Sequence, residues 1–205
     1  MTEDVPYASY CVYCVVGTPY ADLRRALRRP ATDGPISEKE EDRMDNGPTG
    51  YGLDREQGEA FWFFGGLVTV KASAEQSGGR FSLTEHLYPG GVATPLHSQP
   101  EDDESFYVLE GEVTFYLEDG RPVPASAGAF VHLPAGVAHA FRIDSETARM
   151  LNLTTAQHER FFRATSDSAP ERAIPPEAPP DMDKLMAAAN AYGVEILGPP
   201  PGDRG

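Results

Sequence analysis

From about residue 61 onward the hydrophobic and polar positions of the chain alternate in twos, in short runs separated by Gly and Pro. The runs are FWFFGGLVTVKAS (61–73), RFSLTEHLYP (80–89), SFYVLEGEVTFYL (105–117), AFVHLP (129–134), HAFRID (139–144) and RMLNLTT (149–155). Side chains in a strand point alternately to its two faces, so each run predicts a strand with one face buried. In the second run Phe81, Leu83 and Leu87 oppose Ser82, Thr84 and His86, and the apolar set is expected to face inward. In the fifth, His139, Phe141 and Ile143 oppose Ala140, Arg142 and Asp144, so a histidine shares the apolar face. No helical period lies between these runs, which predicts an antiparallel sandwich or barrel.

Helical spacing occurs in three places. Leu23, Ala26 and Leu27 form a stripe among the arginines of ADLRRALRRP (21–30), AQHERFFRATS (156–166) can lean Phe161 and Phe162 on the barrel, and DMDKLMAAANAYG (181–193) has Asp181 as its cap and Gly193 as its stop. The basic first helix is followed by the acidic SEKEEDRMD (37–45), a charge match within or between subunits. The Pro-rich stretch 169–181 predicts an extended linker. The expected organisation is an N-terminal arm over 1–50, a barrel over 51–165, and a linker with a C-terminal helix over 166–205. Edge strands and the arm predict a homodimer with exchanged arms.

Composition narrows the function classes. The net charge of −15 disfavours phosphate backbones and anionic lipid surfaces, so neither nucleic acid nor a membrane is expected as a partner. No apolar run is long enough to span a bilayer and the N-terminus opens with acids, which predicts a cytoplasmic protein. Cys11 and Cys14 make a single C-x-x-C, read as small apolar residues of a strand because no further zinc ligands or βαβ context accompany them.

The candidate chemistry lies in HSQPEDDE (97–104). His97 and Gln99 share a strand face; the loop QPEDD can turn the chain back, so that Glu104 starts a neighbouring strand with Phe106 and Val108 on its parity. His139 arrives on a separate strand. Two imidazoles and a carboxylate converging in an apolar barrel describe a facial metal site with open positions. A lone buried histidine is more often a packed core residue, and EDDE alone is a solvated loop; their combination favours metal. Glu101, Asp102 and Asp103 are assigned to solvent.

These residues carry a resemblance to the cupins. Gly91, His97, Glu104 and Gly111 fall on the first cupin motif, with Gln99 where a second His belongs; Gly128, Pro134, Gly136 and His139 fall on the second, with Ile143 for its usual Asn. The likeness covers about 61–155 and implies an all-β double-stranded β-helix, or jelly roll. It resembles quercetinase-type dioxygenases, which implies one divalent transition metal (Fe, Ni, Mn, Co or Zn) held by His97, Glu104 and His139. Glu104 would also act as base, and Gln99 would ligate weakly or donate a hydrogen bond to Glu104, water or substrate.

Trp62, Phe64, Phe106, Phe115, Phe130 and Phe141 are candidates for the lining of a substrate pocket. Of the other histidines, His132 is expected to support the ligands, His86 to point outward and His158 to lie on a surface helix. The expected function is a dioxygenase of secondary metabolism acting on an aromatic, phenolic or enolisable small molecule; the alternative is a non-redox cyclase or isomerase acting on a polyketide-like substrate. A non-catalytic small-molecule-binding barrel is the reading from another class.

Overall fold

A computed structural model describes residues 50–200 of the chain. The strand of Cys11 and Cys14, the basic helix and the acidic segment that follows it lie outside the described residues.

The alternating runs form antiparallel strands. The first gives β1 (Glu59–Phe63) and β2 (Gly66–Ala72), and the second β3 (Ser82–Pro89). A three-residue strand, β4 (Leu96–Ser98), precedes β5 (Glu104–Glu110) and β6 (Glu112–Leu117). Then come β7 (Pro122–Ser126), β8 (Phe130–Leu133), β9 (His139–Ile143) and β10 (Thr147–Thr154). After β10 the chain forms α1 (Ala156–Thr165), β11 (Asp167–Ser168), α2 (Met182–Tyr192) and β12 (Glu195–Gly198).

The strands build two sheets, in the orders β11-β1-β2-β3-β10-β5-β8 and β12-β4-β9-β6-β7. This is the jelly roll expected from the sequence. Prolines 122 and 124 sit in β7, at the edge of the smaller sheet, where a missing N–H leaves no ladder bond unmade. Phe106, Phe115 and Phe141 meet between the sheets, with ring centroids 5.2–6.1 Å apart, and Tyr88, Val108, Ile143 and Met150 pack around them. Among the described residues no helix is long and apolar enough to cross a membrane.

Both described helices start and stop where their caps predict. Asp181 accepts from the Lys184 N–H, and Gly193 ends α2 in the left-handed conformation at φ 73°. Thr155 caps α1 by accepting from the His158 N–H.

The inward face of β3 reverses the expectation. Ser82, Thr84, His86 and Tyr88 are buried, whereas Phe81 is exposed and Leu83 and Leu87 lie on the outer face. The outer leucines have apolar partners across the ladder, Leu83 opposite Leu153 and Leu87 opposite Leu67. The inner polar groups bond one another: Thr84 Oγ1 lies 2.8 Å from His86 Nε2. Alternation defines two faces, but polarity fails to say which is inside when the interior holds polar machinery.

Two turns depend on left-handed backbone. Phe64 (φ 49°) and Gly65 (φ 79°) form the two-residue turn between β1 and β2, a geometry that favours Asn-Gly or Gly-Gly. A phenylalanine there costs roughly 1–2 kcal/mol. At Gly111 (φ 85°), between β5 and β6, an added Cβ would lie 2.3 Å from the Thr147 carbonyl oxygen. Gly136 (φ 79°) has open space around it. Gly111→Ala is therefore expected to destabilise by about 3 kcal/mol, from backbone strain plus overlap, and Gly136→Ala by about 1 kcal/mol from backbone strain alone. Guanidinium unfolding of the two variants gives the comparison; equal losses would count against it.

Candidate metal centre

The smaller sheet supplies two imidazoles to one place. His97 in β4 and His139 in β9 are directly paired across the ladder, with ring centroids 4.5 Å apart. Each Nδ1 lies 2.8 Å from a backbone carbonyl two residues earlier, Pro95 for His97 and Val137 for His139. That contact puts the proton on Nδ1 and turns Nε2 toward the barrel interior, the usual support for a ligating histidine. Glu104 enters from the opposite sheet, at the start of β5, with 3% of its surface exposed. One ligand atom from each of His97, Glu104 and His139 lies within 4.8 Å of the other two.

The carboxylate is held on both oxygens. Oε2 lies 3.0 Å from the Gln99 amide nitrogen and 3.1 Å from His139 Nε2; Oε1 accepts from Asn152 Nδ2 at 2.9 Å and lies 3.3 Å from His158 Nε2. A carboxylate only accepts, so Gln99 must present its NH2 here, and an amide NH2 has no lone pair to offer a metal. As arranged, Gln99 holds Glu104 through its NH2 group. Burial would push the Glu104 carboxyl up, but the neighbouring His158 and His139 outweigh it and hold it well below the usual carboxylate range.

Burial would lower His139, but its hydrogen bond to Glu104 wins and the group is raised. Both of its ring nitrogens face acceptors, as in an imidazolium. His97 is pushed down to about 4 by burial and then by the neighbouring His139, which keeps it neutral. The donor set therefore fits a divalent ion: one neutral imidazole, one ionised carboxylate, and one imidazole whose Nε2 proton a cation would displace.

His158 corrects the expectation of a surface position: it is 2% exposed, packed edge-on against Phe162 with centroids 4.5 Å apart. Its helix is anchored to the acidic loop, because Thr155 Oγ1 donates to Asp102 while Thr154 Oγ1 donates to the Asp103 carbonyl at 2.9 Å. Asp102 is thus buried structure rather than solvated loop. Asp103 is exposed and accepts from the Ala135 N–H. His158 Nε2 meets a pure acceptor, Glu104, and a pure donor, Gln99 at 3.4 Å, and can satisfy one of them. Donation to the carboxylate is charge-assisted, and it leaves Nδ1 a buried lone pair without a partner among the described residues. The signal in the sequence was the helical spacing of His158 with Phe161 and Phe162, which puts all three on one face. Asn152 shares the parity of Met150, but Leu151 and Leu153 on the opposite face carry the stronger apolar signal, so polarity hid it.

Two further expectations are corrected. His132 is exposed and bonds Ser105 on the outer face, so it does not support the ligands. His86 is turned inward and fully buried. The cavity at the centre has about 50 Å3 of free volume and is lined by His97, Glu104, His139, His158, His86 and, among other apolar side chains, Phe64, Phe106 and Phe141. Phe115 packs behind that wall in the core. Trp62 faces away and donates to the Ala173 carbonyl, and Phe130 is 63% exposed on the outer face. Phe130 follows Ala129 into β8 with the parity of Tyr107, its exposed partner across the ladder, so it lies outside the barrel.

Residues 83–154 match the cupin domain family, a span that holds both glycine-framed motifs. These residues form a cupin domain. The chain is 26% identical over 173 residues to the quercetin 2,3-dioxygenase of Bacillus subtilis, which covers 83% of this chain. It spans 50% of the length of that enzyme. Among solved structures it is similar to the polyketide cyclase RemF from Streptomyces resistomycificus, at 20% identity and a TM-score of 0.48, covering 70% of this chain and 99% of that chain. It is also similar to the DMSP lyase DddQ from Ruegeria pomeroyi, at 27% identity and a TM-score of 0.35, covering 38% of this chain and 39% of that chain. His158 lies beyond the matched residues.

Proposed function

We propose that the chain is a metal-dependent oxidoreductase, a dioxygenase that acts on an enolisable or phenolic small molecule. The observation that carries this reading is the set of His97, Glu104 and His139, two imidazoles and a carboxylate on adjoining strands, at an apolar cavity. Likeness to a quercetin 2,3-dioxygenase over most of the chain supports it. A bound divalent ion would supply Lewis acidity and, when redox-active, a path for electrons between substrate and oxygen.

The chain's own groups divide the remaining work. Glu104 is ionised, and Gln99 and Asn152 fix its two oxygens, so it is a base aimed at one spot. A substrate enol or phenol proton would pass to Glu104 Oε2, the oxygen that otherwise bonds His139. Phe106 and Phe141 flank a planar group and keep water away.

Oxygen uptake by protein loaded separately with iron, nickel, manganese, cobalt or zinc tests the reading against a panel of single-ring phenols, hydroxypyranones and 1,3-diketones. Uptake that depends on both a redox-active metal and substrate is expected. Turnover that persists anaerobically with zinc would overturn it in favour of a cyclase or isomerase, in which Glu104 abstracts a proton beside a polarised carbonyl. That second reading rests on the same ionised, buried carboxylate.

A further inference from the structure

The cavity at the metal centre is small for what surrounds it. Its free volume of about 50 Å3 accommodates a few waters or one compact polar head. An apolar groove of about 1040 Å3 lies outside it, and Phe64, Pro95 and Ile196 line both. The junction is where the β1–β2 turn holds the ring of Phe64, the one non-glycine residue at positive φ among the described residues. The surrounding structure holds a bulky side chain at a backbone position that favours glycine, and so sets its ring at the junction of the two spaces.

The walls of the groove define what it accepts. One side is the extended segment 174–180, in which Pro175, Pro176 and Pro180 offer no N–H. The floor carries Gly90, Gly91 and Val92, and among the described residues Glu177 is the sole charged one in the lining. A surface poor in donors and free of cations has nothing to hold a phosphate, a carboxylate or a sugar; it fits an uncharged apolar body.

We infer that cavity and groove form one binding site for an elongated ligand. Its oxygen-bearing head meets His97, Glu104 and His139, and its uncharged tail, an alkyl chain or a second ring, passes Phe64 and lies along residues 174–180. This rests on the metal-centre reading for the head alone. The tail supplies affinity and length selection, and Phe64 sets the width of the passage between the two compartments.

The test uses the full chain loaded with zinc and a series of 3-hydroxy-4-pyranones bearing 2-alkyl chains of one to six carbons, with Kd measured by calorimetry. Each added methylene is expected to tighten binding about threefold once the chain enters the groove. Ala178→Trp, on the exposed side of the segment, is expected to abolish that gain, and Val92→Trp to do the same from the floor. Phe64→Gly is expected to extend the gain to bulkier, aryl-bearing tails. Affinity that stays flat or falls with chain length, or a gain undiminished in both tryptophan variants, would overturn the inference while leaving the metal centre standing. Failure of even the methyl member to bind would overturn both.

Discussion

Glu104→Ala is expected to lower divalent-metal affinity by roughly 100-fold or more, since loss of mere supporting groups at such sites already costs 10- to 100-fold. The same change should destabilise the metal-free protein by about 3 kcal/mol. The carboxylate accepts from Gln99 and Asn152 and contacts His139 and His158, and its removal leaves these buried polar groups without an acceptor. Asn152→Ala removes one donor and should cost only about 1 kcal/mol. Competition with a chromophoric chelator gives the affinity, and denaturant unfolding under chelator gives the stability. An alanine variant that keeps metal within threefold of the parent would remove Glu104 from the ligand set.

Acid should weaken the metal-free protein through His86. Burial pushes this histidine from 6.5 down to about 4. Between those values the unfolded chain takes up a proton that the folded chain refuses, so folding loses stability as pH falls through that window. The loss is fully recovered above pH 6.5. Its size is roughly 3 kcal/mol for the whole shift. His86→Gln, whose amide can still meet Thr84, should therefore lose about 2 kcal/mol less than the parent between pH 7 and pH 4.5. Denaturant unfolding at the two pH values, with chelator present, measures the difference. Parallel losses in the two proteins would show that His86 takes its proton in the folded state.

The sequence made the barrel legible because its longer strands repeat in twos and its motifs are framed by glycines. The candidate ligands were legible for the same reason: His97, Glu104 and His139 each stand at a fixed interval from such a glycine. Asp181 and Gly193 announced α2 because caps act locally. What escaped was short or distant. β4 has three residues, too few to show a period, and β12 is recognisable only by its pairing with β4. His158 reaches Gln99 across 59 positions of sequence, through a helix whose placement depends on the Asp102–Thr155 bond. The inward face of β3 was read backwards because hydrophobicity was taken as the mark of burial, while Thr84 and His86 are buried as hydrogen-bonded partners. Phe130 was misplaced for the converse reason, being an aromatic residue on an outer face.

The position of β4 has a consequence for the order in which the molecule is made. The strand that carries His97 lies between β9 and β12, with Ile196 opposite His97 and Ser98 donating to Glu195 across 97 positions. Contacts that distant form late, since the intervening chain must first be synthesised and closed into a loop. On the ribosome, His97 and Glu104 emerge long before the strand that secures their edge of the barrel. The polypeptide therefore carries an acidic, histidine-bearing hairpin with one edge of β4 uncovered while the next 97 positions are made, and β12 covers that edge last.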